Sequence, residues 1–322
     1  NKLTDKNTTF RRTTIQGLLD YTRSFGNHNF KLLGGYFQEL TQYTENSAYR
    51  QGFLNNELSE INLGSTAGQT ASGYGYEMAL RSYFGRLNYD FAGKYLFEAN
   101  LRYDGSSRFS PKHRWGAFPS FSAGWNLSKE TFFEPLKESV SALKIRGSWG
   151  KLGNQEVRAY GNSPSAPYYP YITVISSEQN YAFGGGSPTI ATGVAPTIGA
   201  NADLRWESTT TYGAGIDAAF LKGKLDLTVD WFNRKTNDII LDVPVSAVYG
   251  LIPPPKNAGA VQNKGWEFML GYKDRKGDFA YNGSFNISFI DNKITDLYGT
   301  GPYLANTTIQ DVGYPINSLY GY

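Results

Sequence analysis

The stretch "RYDGSSRFSPKHRWGAFPSFSAGW", Arg102–Trp125, opens as a polar, turn-rich loop and ends as a sequence in which every second residue is apolar. Ala117, Pro119, Phe121, Ala123, Trp125 and Leu127 alternate with Ser120, Ser122, Gly124 and Asn126. A period of two marks a strand with unlike faces. The segment just before repeats the scheme, with Tyr95, Phe97, Ala99, Leu101 and Tyr103 set against Leu96, Glu98, Asn100, Arg102 and Asp104. One face asks for an apolar medium and the other for water.

The same alternation predicts about ten strands. They are Arg11–Ser24, Phe30–Glu45, Met78–Asp90, Tyr95–Asp104, Trp115–Ser128, Ala142–Lys151, Leu204–Phe220, Leu225–Thr236, Gly265–Lys273 and Phe279–Asp291. The connections alternate in length. "FGNHN", "FAGK", "LKGK" and "DRKGD" are turn-like, and "KETFFEPLKESVS" has room for a helical turn. Between them stand long segments: Asn46–Glu77, Gly105–Arg114, Leu152–Asp203, Asn237–Lys264 and everything after Asn292. Antiparallel up-and-down strands with turns on one side and loops on the other are the pattern of a transmembrane β-barrel.

Composition agrees with an all-β chain. Among 322 residues there are 24 Tyr, 20 Phe, 6 Trp and 36 Gly, but only 2 Met and no Cys. Without Cys, disulfides, thiolate metal sites and Cys nucleophiles fall away together, and two His do not make a multi-histidine metal centre. No metal, cofactor or catalytic residue is therefore expected. The net charge of +3 shows no run of one sign, so nothing in it argues for nucleic acid or an anionic membrane surface as a partner. Mean hydropathy is −0.43, and no run approaches the ~18 apolar residues of a spanning helix. The chain opens mid-pattern at "NKLTDKNTTF", with no initiating Met and no signal peptide, so it is expected to be a fragment of the barrel.

A soluble sandwich also alternates. Three features favour the membrane. The predicted strands run about ten to seventeen residues, where soluble strands run ~5–6. Aromatics gather towards the strand ends, giving an expected lipid-facing girdle of Tyr83, Tyr89, Tyr95, Tyr103, Trp125, Trp149, Trp231, Trp266 and Tyr272. The opposite face is too wet for a sandwich interior, so Arg86, Asn88, Glu98, Asn100, Arg102, Asp226 and Asp230 are expected to face an aqueous lumen.

"RSYFGRLNYDFAGKYLFEANLRYDGSSRFSPKHRWGAFPSFSAGWNLSKETFF", Arg81–Phe133, closely resembles the barrel of the SusC/RagA family of TonB-dependent outer-membrane transporters of Bacteroidetes. "LKIRGSWGKLGNQ", "NKGWEFMLGY" and "FNISFIDNKITDLYG" resemble later strands of that barrel in the same order. The long loops match least. The resemblance implies a barrel of about 22 strands in the bacterial outer membrane, closed by an N-terminal plug. Residues 1–322 would then be part of the barrel domain, with the plug, the N-terminal domain and the TonB box outside this chain. It further implies TonB-driven import of an oligosaccharide or peptide, with a SusD-like surface lipoprotein as partner and paired barrels as an oligomeric state. A receptor for a small metal chelate or vitamin is the alternative within the superfamily. A passive structural or adhesive barrel, or a carbohydrate-binding sandwich, is the alternative outside it.

Among the motifs, "DGSSRF", Asp104–Phe109, is expected to act as a turn and loop-closing element, with Arg108 pairing Asp104. "GSWGKLGNQ" lacks the spacing, the Lys-Ser/Thr ending and the helix of a phosphate loop. Asp217, Asp226 and Asp230 need only be wet on a lumenal wall, so no acid/base pair is read from them. "APYYPYITVISSEQNYAFGGGSP" places Tyr168, Tyr169, Tyr171, Tyr181 and Phe183 on a long loop, where rings suit stacking on sugars or peptide side chains, a partner protein or the loop's own base. "VYGLIPPPKNAGAVQN" is a proline-stiffened loop.

Overall fold

The computed structural model describes all residues except 58, 158–167, 178, 185–188, 244 and 322. Ten strands form one antiparallel sheet in unbroken sequence order. They are β1 (Lys2–Phe25), β2 (His28–Gln51), β3 (Ser65–Phe91), β4 (Tyr95–Ser106), β5 (Trp115–Asn126), β6 (Val140–Asn154), β7 (Glu207–Phe220), β8 (Leu225–Leu241), β9 (Lys256–Lys276) and β10 (Phe279–Asp296). Every predicted strand is present. No second sheet of comparable size stacks against this one among the described residues, which removes the sandwich alternative.

The boundaries need correction at the long-loop end. β2 continues to Gln51 and β3 starts at Ser65, so much of the expected loop Asn46–Glu77 is strand. β1 starts at Lys2, β8 runs to Leu241 and β9 begins at Lys256, shortening the expected loop Asn237–Lys264 at both ends. The ladder from Lys2↔Gln51 to Asn7↔Asn46 is mostly polar on both faces, with Leu3, Ala48 and Tyr49 the exceptions. Backbone pairing needs no apolar face once the strand stands in water on both sides, so alternation fades while the ladder continues. In contrast, β7 begins at Glu207 rather than Leu204, because Leu204 is buried in a loop cluster.

The short connections behave as their residues dictate. Ala92 and Gly93 both take positive φ (55° and 65°), and Lys94 N–H donates to Phe91 C=O at 2.9 Å, the hairpin turn whose twist matches its strands. Asp90 Oδ1 caps it, accepting from Gly93 N–H at 2.8 Å. The β5–β6 connection holds short 3₁₀ turns at Leu127–Lys129 and Thr131–Leu136, with Phe133 buried, as its sequence suggested. The β6–β7 connection carries two small hairpins, 174–177 paired with 194–198 and 181–183 paired with 189–191. After β10, short strands at 303–305, 308–310 and 318–319 form a separate three-stranded piece.

Cross-strand partners share a face, so the register settles which side chains lie together. Phe97, Ala123, Gly147, Ala214, Trp231, Trp266 and Phe289 form one apolar row from β4 to β10. On that face Leu101 is 54% and Phe285 63% exposed, far from the burial of a soluble core. No helix among the described residues is long and apolar enough to cross a membrane.

Candidate functional site

The opposite face is a polar wall. Lys31, Asn88, Glu98, Ser122 and Ser148 occupy one row across β2 to β6. Leu96, Gly124, Arg146, Gly215, Asp230 and Glu267 form the next from β4 to β9. Together they border a hollow of about 1000 Å³.

Side chains on this wall satisfy one another across strands. Arg86 Nε donates to Asn100 Oδ1 at 2.9 Å, while Glu98 accepts from Asn88 at 2.5 Å and from Asn100 at 2.8 Å. Arg102 donates to both carboxylate oxygens of Asp104 at 2.8 and 2.9 Å and to Ser82 at 3.0 Å. Asp226 pairs with Lys273 at 3.1 Å. The densest group is Arg146, which donates to Asp217 at 2.9 and 3.1 Å and to Asp230 at 2.8 Å, with a further 2.7 Å contact to Asp230. Gly215 makes room for it, since a Cβ there would collide with Asp230 Oδ1 and Arg146 Cζ. Thus Arg86, Asn88, Glu98, Asn100, Arg102, Asp226 and Asp230 lie on one face, the first four in one hydrogen-bonded chain and the last three in ion pairs, an arrangement that suits a wetted surface. Arg146 and its glycine seat were not singled out from the sequence.

At the long-loop end a small knot forms over this face. Phe109, Val157, Leu204 and Ile240 are buried together, with Trp206 packed against them. Trp206 Nε1 donates to Arg114 C=O at 3.0 Å, and Ser110 Oγ donates to Ala202 C=O at 2.6 Å. Phe118 meets the Trp206 ring edge-on at 5.3 Å. "DGSSRF" is therefore a loop-closing element, with one correction to its wiring. Asp104 is taken by Arg102, and Arg108, 5% exposed, instead contacts Glu156 at 3.1 Å and faces the Tyr168 ring at 5.5 Å. A turn reversal between Asp104 and Arg108 sends their side chains to different partners.

The loop rings separate into two groups. Tyr168 stacks on Tyr76 of β3 with centroids 3.7 Å apart, and Tyr43 of β2 stacks on Tyr76 at 5.0 Å. Burial, with the neighbouring Tyr76 adding to it, pushes the Tyr168 phenol up to about 12. Tyr169 Oη donates to Glu77 C=O at 2.8 Å and accepts from Glu77 N–H at 3.2 Å. Both residues clamp the loop onto β3, so the loop's own base is the environment found for them. Tyr181 and Phe183 pack edge-on at 4.8 Å and remain 66% and 60% exposed. Tyr171 is half-buried and joins neither group. Residues 158–167, 178 and 185–188 of this loop lie outside the described residues. The partners Tyr43 and Tyr76, with Tyr74 beside Tyr43 at 5.4 Å, went unnoticed in the sequence, although "GYGYE", Gly73–Glu77, carries alternating rings that signal a strand.

The expected girdle residues share the apolar face in two tiers. Tyr89, Tyr95 and Trp125 lie beside the short turns, and Tyr95 Oη and Trp125 Nε1 both donate to Glu130 in the β5–β6 turn, at 2.7 and 3.1 Å. Lys94 donates to the same carboxylate at 2.9 Å, and these donors hold it at about 2. Tyr272 lies on the same side of the sheet near the end of β9. Towards the long loops, Trp115 stacks on Tyr103 at 4.8 Å and on Tyr83 at 6.1 Å, and Phe121 stacks on Trp149 at 5.8 Å. Trp231 and Trp266 are direct cross-strand partners.

Residues 1–319 match the family model "TonB dependent receptor-like, beta-barrel". The chain is 34% identical to "TonB-dependent receptor P3" of Formosa agariphila over 98% of its own length and 31% of the relative's. It is 33% identical to "TonB-dependent receptor SusC" of Bacteroides thetaiotaomicron over 94% of its length and 30% of that protein. It thus spans about a third of these relatives. In fold it is similar to a chain in the "Structure of the RagAB peptide transporter", with a TM-score of 0.85 at 24% identity, covering 99% of this chain and 34% of that one.

Proposed function

This chain belongs to the TonB dependent receptor-like β-barrel family of outer-membrane transporters, which are not enzymes, and we propose that it forms one side of an importer for a polymer-derived nutrient, oligosaccharide or peptide. The apolar face meets lipid and the polar wall lines the passage. The plug and the TonB-contacting segment are assigned to chain outside these residues, and a SusD-like surface lipoprotein is the partner at the long-loop end. Paired transporter–lipoprotein units are the proposed assembly.

The observation that carries this reading is the wall itself. Its polar side chains bond to one another along and across strands, as Arg86, Asn88, Glu98 and Asn100 do and as Arg146 does with Asp217 and Asp230, which suits the passage of a hydrated chain such as a sugar or peptide. Exposed Tyr181 and Phe183 are the proposed ligand contacts on the β6–β7 loop, since their rings are free to stack. Tyr168, Tyr169 and Tyr171 act behind them in shaping the mouth. Purification of the full-length protein from outer membranes, with mass spectrometry of what accompanies it, tests the proposal. A lipoprotein carrying bound oligosaccharide or peptide is expected. A metal chelate as the only small molecule bound would overturn the cargo assignment.

A further inference from the structure

The outward face changes character just beyond the upper aromatic tier. Lys151, Thr210, Lys235, Gln262 and Lys293 are successive cross-strand partners from β6 to β10 and form one row. The row shares its face with Trp149, Trp231 and Trp266, because the intervals along each strand are even. Lys264 lies one pleat closer to the membrane on the same face, and Arg81 lies on the same face of β3, two pleats further towards the long loops and beside Gly105 and Trp115. Counted along its own strand from the short-turn end, each of these five cations stands about ten to fourteen residues up, just past the ~9–11 residues a strand needs to cross the bilayer. With strands ~4.8 Å apart, Lys151, Lys235 and Lys293 recur about every 10 Å.

Their place on the outward face sets them apart. At the short-turn end Lys94 has Glu130 and Lys224 has Asp274, while Lys129, Lys222, Arg275 and Lys276 stand in or beside the turns without an ion pair among the described residues. On the wall, Arg146 is clasped by two aspartates. In the outward band only Lys264 has one, Asp291 at 3.3 Å, and no ion pair engages Arg81, Lys151, Lys235 or Lys293 among the described residues. Lys235 and Lys293 are exposed. A net-positive band at the outer edge of a lipid-facing surface lacks only a counter-charge.

We infer that Arg81, Lys151, Lys235, Lys264 and Lys293 bind phosphate-bearing lipid head groups of the outer leaflet. Aliphatic lysine stems lie along the apolar surface while the ammonium groups reach the phosphates. This assignment rests on the barrel's orientation and is independent of what the barrel imports.

The test uses full-length protein in detergent, titrated with diphosphorylated lipid A and with its dephosphorylated counterpart. Wild type is expected to prefer the phosphorylated lipid by on the order of tenfold or more, with the preference shrinking at high salt. The variant Lys151→Gln, Lys235→Gln, Lys264→Gln, Lys293→Gln is expected to lose the preference, and arginine at the same four positions to keep it. Equal binding of both lipids by wild type, or a preference surviving in the glutamine variant, would overturn the inference. Abolition of the preference by millimolar inorganic phosphate would also overturn it, by identifying a site for the free ion. Should the fourfold variant fail to insert, Lys235→Gln and Lys293→Gln alone are each expected to cost roughly fivefold.

Discussion

The polar wall and the long-loop mouth are built on different principles. On the wall, contacts stay within one strand or reach one or two strands along the ladder, as Arg102 to Asp104, Asn88 to Glu98 and Arg146 to Asp230 do. At the mouth, Ser110 reaches Ala202, Arg114 reaches Trp206 and Glu77 reaches Tyr169, each across 92 residues of chain. The wall is a consequence of register, and losing one contact leaves the backbone ladder in place. The mouth is a small tertiary core held by a few buried groups, so its stability is concentrated.

That difference is sharpest at Phe109, which is fully buried. Phe109→Ala is expected to destabilise the knot by about 3–5 kcal/mol and to open the β6–β7 loop. Limited proteolysis of the full-length protein in detergent should show new cleavage there with the barrel's heat-modifiable migration unchanged. Phe121→Ala, on the apolar face, should leave the loop protected. Equal protection in both variants would erase the distinction.

On the wall, Arg146→Ala leaves Asp217 and Asp230 facing each other. A fully buried pair would lose ~3–5 kcal/mol, but these side chains are 29–38% exposed, which reduces the expected cost to about 1–2 kcal/mol. Adding Asp217→Asn and Asp230→Asn should recover most of it in thermal unfolding. Gly215→Val should mimic Arg146→Ala, because a side chain there displaces the guanidinium.

A smaller effect is expected from Tyr168→Ala, which removes the ring between Tyr76 and Arg108. Loss of the stacked pair costs about 0.5–1.5 kcal/mol, with some lost burial besides. Cleavage of the β6–β7 loop should rise several-fold, well short of the Phe109→Ala result. Tyr168→Phe should restore protection, since stacking needs the ring alone.

The smallest and most local effect concerns Glu130. Its folded-state titration lies near 2, below the ordinary carboxylate value of 4.5, so deprotonation favours the folded turn. Its contribution is full above about 4.5 and fades as pH falls towards about 2. Trp125 fluorescence should therefore stay constant down to pH 4 and change with a midpoint near 2. Glu130→Gln should abolish that transition, while a midpoint between 4 and 5 in wild type would show the three donors do not act together.

What was legible in the sequence follows the same division. Alternation of unlike faces located all ten strands and placed Glu98, Asn100, Asp226 and Asp230 on one side, because a side chain's face is settled by parity alone. Parity fails where both faces are wet, as at Lys2–Asn7 and Asn46–Gln51, and strand ends were lost there. It is silent on contacts across a long loop. The stack of Tyr43, Tyr76 and Tyr168, the Arg108–Glu156 pair and the burial of Leu204 depend on loop closure, which no local period encodes.

The central claim is that neighbouring residues of one strand face opposite media, and single cysteines along β4 test it most directly. These 322 residues contain no cysteine, so each introduced thiol is read alone once any cysteine elsewhere in the full-length protein is replaced by serine. In intact outer membranes, thiols at Leu96, Glu98, Asn100 and Arg102 are expected to react with a small charged maleimide, and thiols at Phe97, Ala99 and Leu101 to resist it. Equal labelling of both sets would contradict a sheet with lipid on one face and water on the other.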